Sequence, residues 1–231
     1  MSSELDQFYE LMGELRRLPG QGRPLSEYAG GRSFPNRGVY FFFEPGEYRQ
    51  DGRTPRVVRV GTHAVSINSR SKLWTRLRAH RGSLKGTGNH RGSIFRLHVG
   101  AALGARDHGN TIVPESWGIG SSAPHSIRDI EKAHEQLVSV YIGRMGIAWL
   151  GVPDDAGPSS LRSTIERNAI ALLSRGRKPI DTPSAAWLGR HSPRPEIRES
   201  GLWNLNYVDS TCDRSFLPIC ADLLCRMGAV A

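Results

Sequence analysis

The sequence predicts an α+β protein in which helices flank a small, three-stranded and mainly antiparallel sheet. Residues 39–43 and 57–60 are mostly β-branched or aromatic, which favours strands. A Pro-Gly pair at residues 45–46 and an Asp-Gly pair at residues 51–52 lie between them, which predicts a hairpin with a long loop. Both apolar runs are continuous rather than alternating, so we expect buried strands with helices covering the sheet. Residues 146–152 (GIAWLGV) form the third predicted strand.

Helices are predicted from the spacing of apolar residues. A helix over residues 5–18 should pack against the core as an N-terminal helix. The helix over residues 69–81 places Arg76 and His80 four residues apart on one polar face. A further helix is predicted over residues 159–174, after the third strand.

The helix predicted over residues 126–144 has two further expected features. Ser126 and Asp129 fit a capping box in which Asp replaces the usual Glu. The side chains predicted to face inward are those of Ile130, Leu137, Val138 and Tyr141.

The chain is predicted to be a single domain, because 231 residues can bury one sizeable core. Residues 1–35 would hold the N-terminal helix and a connector rich in Gly and Pro. Residues 36–210 would form the core, with an insertion at about residues 100–125. The Pro-rich, basic residues 175–198 are interpreted as a loop over a binding groove, and residues 211–231 as a C-terminal helical tail.

Positive charge is the strongest feature of the composition. The formal net charge is +9, the sequence pI is about 10.0, and no Asp or Glu lies between Gly52 and Arg106. This surplus predicts a polyanionic partner. No membrane association is expected, since no stretch approaches about 18 uncharged apolar residues. The acidic start lacks a signal-peptide n-region, and the odd set of Cys212, Cys220 and Cys225 indicates a reducing, cytoplasmic location without structural zinc.

Several short motifs follow one another in a characteristic order. They are Gly38-Val39-Tyr40, Val60-Gly61-Thr62, Arg76 with His80, residues 89–94 (NHRGSI), Ile165-Glu166-Arg167-Asn168 and Gly201-Leu202-Trp203-Asn204. Each motif alone is weak, because such short strings occur by chance. Their order over residues 36–208 resembles that of the GIY-YIG nuclease family, which implies a GIY-YIG-like sheet and a nuclease activity.

The resemblance implies roles for three side chains in phosphodiester hydrolysis. Tyr40 would accept or relay the proton of the attacking water. Arg76 would hold the non-bridging phosphate oxygens, because its planar guanidinium stays charged and binds phosphate bidentately. His80 would orient the water or shuttle its proton.

The resemblance also implies a metal ion. Glu166 would supply the single protein carboxylate to Mg²⁺, or to Mn²⁺ in its place, with waters and a phosphate oxygen as the other ligands. Asn204 would hydrogen-bond the phosphate or hold a neighbouring side chain. Asn206 competes for the same assignment.

One position departs from the family pattern, because Arg59 stands where the second motif has its tyrosine. The phenol that usually binds the nucleophilic water is therefore missing. Either His63, just past the strand, takes over part of that role, or the site is impaired. Nucleic-acid contacts are predicted for Arg59, Lys72, Arg78, Arg81, Lys85, His90 and Arg91.

The sequence thus favours a metal-dependent endonuclease of restriction, repair or defence type, acting on double-stranded DNA. A homodimer would be needed for a double-strand cut if each chain has one active centre. The first alternative is a catalytically impaired, GIY-YIG-like protein that binds nucleic acid. The second is a basic protein that binds another polyanion, with an accidental motif match.

Overall fold

The computed structural model describes residues 3–32, 34–83, 85–107 and 113–229. Within these ranges the chain forms seven α-helices and one three-stranded antiparallel sheet, which confirms the predicted α+β class. The elements are α1 (Glu4–Arg17), β1 (Gly38–Tyr48), β2 (Pro55–Gly61), α2 (Leu73–Arg81), α3 (Ile94–Arg106), α4 (His125–Gly143), β3 (Gly146–Gly151), α5 (Leu161–Ser174), α6 (Pro195–Ser200) and α7 (Phe216–Gly228). None of these helices is long and apolar enough to cross a membrane.

Strand β1 lies at the centre of the sheet, with β2 on one side and β3 on the other, both antiparallel to it. Successive side chains of a strand point to opposite faces. Val39, Phe41 and Phe43 therefore face one hydrophobic core, while Tyr40 and Phe42 face a second. All five side chains are buried, which confirms the prediction that the sheet is covered on both faces.

Helices from both halves of the chain close the two cores. Helices α1, α5 and α7 cover the Phe41 face of the sheet. Helices α2, α3 and α4 cover the Tyr40 face, together with Trp187 and Trp203. Full burial of each large apolar side chain stabilises the fold by about 1.5–3 kcal/mol. The predicted helices at the two ends of the chain are confirmed, and both pack against the sheet.

The hairpin between β1 and β2 differs from the prediction in its turn. Pro45 and Gly46 lie inside β1, which continues to Tyr48 through two shifts of register. The chain reverses at residues 49–54, where the Asp51 carboxylate accepts hydrogen bonds from two backbone N–H groups at 2.8 Å. A proline is tolerated in β1 because regular pairing is interrupted there.

Two predicted boundaries around the next helices are corrected. Helix α2 begins at Leu73, because residues 69–72 have no regular structure. The predicted insertion at residues 100–125 is wrong in its first part, since α3 continues through it to residue 106 and packs on α4. Gly and Ala residues in that stretch hid the helical spacing. Residues 108–112 of the predicted insertion lie outside the described residues.

The start of α4 is not capped as predicted. Pro124 is the N-cap residue and makes no side-chain hydrogen bond, so the predicted capping box of Ser126 and Asp129 is wrong. Asp129 instead lies one turn from His125, with their side chains 2.6 Å apart.

The inward face of α4 is also rotated relative to the prediction. Val138 is buried as predicted and Tyr141 is partly buried, but Ile130 is 64 % and Leu137 is 47 % exposed. The helix turns the polar Glu135 inward instead, where a buried arginine pairs with it.

The Pro-rich residues 175–198 are irregular for most of their length, as predicted, but they pack into the protein and do not line the cavity. They contain a 3₁₀ turn at Leu188–His191 and the beginning of α6, and both Trp187 and Ile197 are buried in the second core. Pro195 occupies the first turn of α6, where a proline favours a helix start rather than a loop. The high Pro and Arg content concealed the burial of Trp187 and Ile197.

Candidate active site

Tyr40 lies at the centre of the candidate site. It projects from β1 into the second core and is only 1 % exposed. Gly61 on β2 lies directly opposite Tyr40 in the strand register. A Cβ at Gly61 would overlap the phenol oxygen, so only glycine lets the Tyr40 ring lie across the end of β2.

A hydrogen-bonded chain leads from Tyr40 into the protein. Tyr40 Oη lies 2.8 Å from His80 Nε2, and His80 Nδ1 lies 2.7 Å from Ser93 Oγ. Ser93 caps α3, and its Oγ also accepts a hydrogen bond from the Arg96 N–H. Burial, followed by the nearby Arg59 guanidinium, holds the pKa of His80 well below its ordinary value. The His80 imidazole is therefore neutral at physiological pH.

A cavity of about 460 Å³ lies beside this chain of hydrogen bonds. Arg59 from β2, Arg76 from α2 and Glu166 from α5 line it together. The fold thus brings together three side chains that are far apart in the sequence. Arg59 lies on the same face of the sheet as Tyr40, because it is opposite Phe42 in the strand register, and it also lines the cavity.

Glu166 and Arg76 face the cavity with few other partners. Glu166 Oε1 accepts a hydrogen bond from the Thr62 N–H at 3.2 Å, its single hydrogen bond among the described residues. Burial raises the pKa of the Glu166 carboxyl, against the opposing effect of Arg59 and Arg76. The Arg76 side chain makes one long hydrogen bond within the described chain, to the Gly92 carbonyl at 3.4 Å. Both side chains therefore have polar atoms that are available to bind a ligand.

The two competing asparagines are placed differently. The Asn204 amide is already used, because Oδ1 accepts from the Val60 N–H at 3.1 Å and Nδ2 donates to the Val60 carbonyl at 2.8 Å. Asn204 thereby fixes Trp203, whose carbonyl accepts a hydrogen bond from Arg59. Both asparagines line the cavity, but only Asn206 is exposed. Of the two, Asn206 is better placed to contact a substrate.

His63 is held in the interior beside the start of β1. Its Nε2 lies 3.2 Å from the Asn36 carbonyl oxygen, and burial lowers the pKa of His63 to about 4. It does not join Arg76 and Glu166 in lining the cavity. The suggestion that His63 replaces the missing phenol is therefore not supported by its position.

Of the seven predicted nucleic-acid contacts, Arg59 lines the cavity described above, and the other six divide into two groups. Lys72, Arg78 and Lys85 are exposed, as a contact with a polyanion requires. Lys72 precedes α2 and Arg78 belongs to it, so both lie on the element that carries Arg76.

The prediction is corrected for the other three residues, Arg81, His90 and Arg91, because their polar atoms bind other parts of the protein. Arg81 is buried and donates to two backbone carbonyl oxygens. His90 Nδ1 lies 3.0 Å from the Glu135 carboxylate. Arg91 forms a bidentate ion pair with Glu131, with distances of 2.6 and 2.8 Å. These polar groups already have partners and do not present a surface to nucleic acid.

His98 was not predicted from the sequence, and it lines the cavity from α3. Its Nε2 is buried without a hydrogen-bond partner among the described residues, and burial lowers the pKa of His98 to about 4. The one signal was its position four residues after Ile94, on the same side of α3. A single histidine in a helix carries little information by itself.

Comparison with protein families identifies this arrangement. A family model described as GIY-YIG domain matches residues 1–229. The chain belongs to the GIY-YIG family. This membership supports a nuclease-type function and nucleic acid as the class of substrate. Comparisons with curated proteins and with solved structures found no match.

The donors in the GIY-YIG cavity fit a hard cation that takes one protein carboxylate. Glu166 is the acidic side chain that lines the cavity, and one of its oxygens is used by Thr62. Across the described ranges, no group of three or more His, Cys, Asp or Glu side chains could enclose a metal ion. Mg²⁺ keeps several waters and takes one or two carboxylates plus phosphate oxygens, which matches this donor set.

Proposed function

We propose that this GIY-YIG protein is a metal-dependent endonuclease that hydrolyses phosphodiester bonds in double-stranded DNA. The observation that carries the proposal is that Arg59, Arg76 and Glu166 line one cavity beside the Tyr40–His80 pair. Cationic groups suited to a phosphate and a carboxylate suited to a cation thus face the same space. The net charge of +9 supports a polyanionic substrate.

The side chains divide the reaction between them. Arg76 would bind the non-bridging oxygens of the scissile phosphate and Asn206 would add a hydrogen bond. A water would attack phosphorus and give its proton to the phenolate oxygen of Tyr40, while the bond to the leaving oxygen breaks and that oxygen takes a proton from solvent. Glu166 would hold Mg²⁺, which when bound stabilises negative charge on the phosphate and the leaving oxygen. His80 fixes the position of the Tyr40 oxygen.

A second candidate function is nucleic-acid binding without cleavage. Two observations favour it: Arg59 replaces the second phenol, and the Tyr40 hydroxyl is buried beside it. Water must reach Tyr40 past Arg59 for the reaction to proceed. We rank cleavage first, because catalytic contacts often form fully only when substrate is bound. Binding alone would be sensitive to salt and unaffected by EDTA.

Cleavage of supercoiled plasmid tests the proposal. With Mg²⁺ the wild-type protein is expected to produce nicked circles, and EDTA is expected to stop the reaction. Tyr40→Phe removes one hydroxyl and is expected to slow nicking by about 100-fold or more, as for loss of a general base. Tyr48→Phe is the matched control, since Tyr48 lies on the same strand but is 46 % exposed.

Two results of this assay would contradict the proposal. Salt-sensitive plasmid binding without nicking, in either Mg²⁺ or Mn²⁺, would establish the second candidate function. Equal nicking rates in Tyr40→Phe and Tyr48→Phe would show that the Tyr40 hydroxyl takes no part in the reaction.

Gly61→Ala is expected to lower the nicking rate by up to about 100-fold, because displacing a reacting group by about 1 Å can cost that much. The new methyl group would push the Tyr40 hydroxyl away from His80. Gly151→Ala on β3 is the control, since a Cβ there meets its neighbours at ordinary contact distances. Nicking rates and thermal unfolding of both variants separate the loss of positioning from loss of fold. Equal rates in the two variants would contradict the requirement for a glycine opposite Tyr40.

A further inference from the structure

Arg59 stands where the family pattern has its second tyrosine, and the hairpin turns it toward Tyr40. Arg59 lies opposite Phe42 in the strand register, and Phe42 shares a face of β1 with Tyr40. The register shifts next to this pair, and such irregularities re-aim side chains. The Arg59 guanidinium carbon lies 4.7 Å from the centre of the Phe95 ring, and Nη1 donates to the Trp203 carbonyl. Its position is therefore fixed by packing on one side and a hydrogen bond on the other.

Among the described residues no carboxylate lies within ion-pair distance of Arg59, although the charge of Glu166 acts on it across the cavity. Arg56, Arg96 and Arg162 are similarly buried, and each forms an ion pair with a carboxylate. Arg59 is only 6 % exposed, and within the described chain it has no ion pair and its Nε has no hydrogen bond. Burial lowers the pKa of Arg59, and the Tyr40 hydroxyl is the neighbour that opposes this effect most. Burying an unpaired charge is costly, so an anion formed beside Arg59 would be stabilised.

His80 is a poor acceptor for the Tyr40 proton. Its pKa lies well below the ordinary value because of burial and the charge of Arg59, so a protonated imidazole is unfavourable here. The Ser93 hydroxyl can donate to His80 Nδ1, which leaves the ring hydrogen on Nε2. In that tautomer His80 donates a hydrogen bond to Tyr40 Oη. A phenolate oxygen needs such a donor.

We propose that Arg59 stabilises Tyr40 as a phenolate, so that Tyr40 enters the reaction as a base that is already deprotonated. This rests on the proposed function, in which Tyr40 takes the proton of the attacking water. The phenol proton leaves to solvent, and the phenolate and guanidinium form a neutral pair. Arg59 acts through Tyr40 and is a positioning residue. The other titratable or charged groups around the pair are Arg76 and His80 on α2, Arg96 and His98 on α3 and Glu166 on α5.

An ultraviolet titration of tyrosinate absorbance tests the pairing without requiring cleavage. Subtracting the titration of Tyr40→Phe from that of the wild type isolates the signal of one phenol. In Arg59→Met, we expect this phenol to ionise at a pH about one unit or more higher than in the wild type, as for loss of an adjacent opposite charge. Arg59→Lys keeps a cation and should restore part of the difference. Arg78→Met removes an exposed cation and should leave the titration unchanged.

The pH dependence of nicking provides the second readout. In Arg59→Met, kcat is expected to fall about tenfold at neutral pH and to recover as the pH rises, with little change in KM for DNA. The proposal is overturned if the tyrosinate titration of Arg59→Met matches that of the wild type. It is also overturned if Arg59→Met nicks DNA faster than the wild type, because that result would mean that Arg59 obstructs Tyr40. A raised KM with an unchanged pH profile would make Arg59 a phosphate contact instead.

The two readouts separate this proposal from the proposed function. If the protein does not cut DNA, the tyrosinate titration still decides whether Arg59 stabilises the phenolate. If the protein cuts DNA but the titration does not depend on Arg59, the proposed function stands and this inference fails. Should Arg59→Met fail to fold, Arg59→Gln retains a donor for the Trp203 carbonyl and replaces it in both measurements.

Discussion

Glu166→Gln is expected to abolish metal-dependent nicking, with a rate at least about 10³-fold below that of the wild type. The amide has nearly the same size as the carboxylate and can still accept the hydrogen bond from the Thr62 N–H. The change therefore removes one charge from the cavity and leaves the local packing in place. A bound cation supplies several kcal/mol of transition-state stabilisation, which is lost when its single protein ligand loses its charge.

The pH dependence of nicking sharpens this prediction. Burial raises the pKa of the Glu166 carboxyl, so protons compete with the cation at a higher pH than they would at an exposed glutamate. In the wild type we expect nicking to fall as the pH is lowered toward this raised pKa, and added Mg²⁺ should restore part of it. Added Mg²⁺ should not restore nicking in Glu166→Gln.

Glu14→Gln is the matched control, because Glu14 is exposed on α1. It is expected to nick at the wild-type rate at every pH. If Glu166→Gln retained the activity of Glu14→Gln, the carboxylate would not be a metal ligand, and the cation would have to bind through the substrate alone.

Local sequence patterns predicted the parts of this molecule that local chemistry determines. The continuous apolar run around Phe41 predicted a strand buried on both faces, because only a covered sheet leaves no polar position along a strand. The order of short motifs predicted which segments meet, and the structure brings Arg76 and Glu166 to one cavity. The chemical roles of these side chains remain predictions.

The charges in the sequence were a weaker guide to which residues could contact a substrate, because ion pairs depend on tertiary contacts. The segment from Gly52 to Arg106 contains no acid, yet part of its positive charge is neutralised in the interior. Arg91 and Arg96 pair with Glu131 and Glu135, which lie on α4. A run of basic residues in the sequence is therefore not the same as a basic surface.

The inward face of α4 was predicted wrongly because a tertiary ion pair determines it. Helical spacing alone placed Ile130 and Leu137 inside, since apolar residues usually face the core. The buried arginine on α3 instead requires an acidic partner, so the helix turns Glu135 inward and leaves both apolar residues exposed. A sequence pattern cannot reveal a buried cation on another element.

Glu135→Gln is expected to lower the free energy of unfolding by about 3–5 kcal/mol, because it leaves Arg96 as an uncompensated buried charge. Arg96 Nε lies 2.9 Å from Glu135 Oε2, and both side chains are buried. Burial alone would raise the pKa of Glu135, but hydrogen bonds from His90 and the charge of Arg96 lower it. This lowered pKa stabilises the fold above the ordinary pKa of glutamate, and the stabilisation is lost as the pH falls through the lowered value. Chemical denaturation at neutral pH measures the difference.

The exposed pair of Asp222 and Arg226 on α7 provides the control. The two residues lie one turn from each other on the helix surface, and their side chains are 2.8 Å apart. Such exposed pairs contribute at most about 1 kcal/mol to stability. Asp222→Asn should therefore change the unfolding free energy much less than Glu135→Gln. Similar losses in the two variants would mean that the buried pair contributes no more than a surface contact.

A double substitution separates the stability of this pair from its effect on the site. Arg96→Met with Glu135→Leu removes both charges, and replacing a buried ion pair by apolar residues is often neutral or stabilising. We therefore expect the double variant to be more stable than Glu135→Gln alone. Its nicking rate should nevertheless be lower than that of the wild type, because Arg96 Nη1 also donates to the His80 carbonyl at 2.9 Å and that contact is lost. Wild-type stability and a wild-type nicking rate in the double variant would show that Arg96 does not position His80 beside Tyr40.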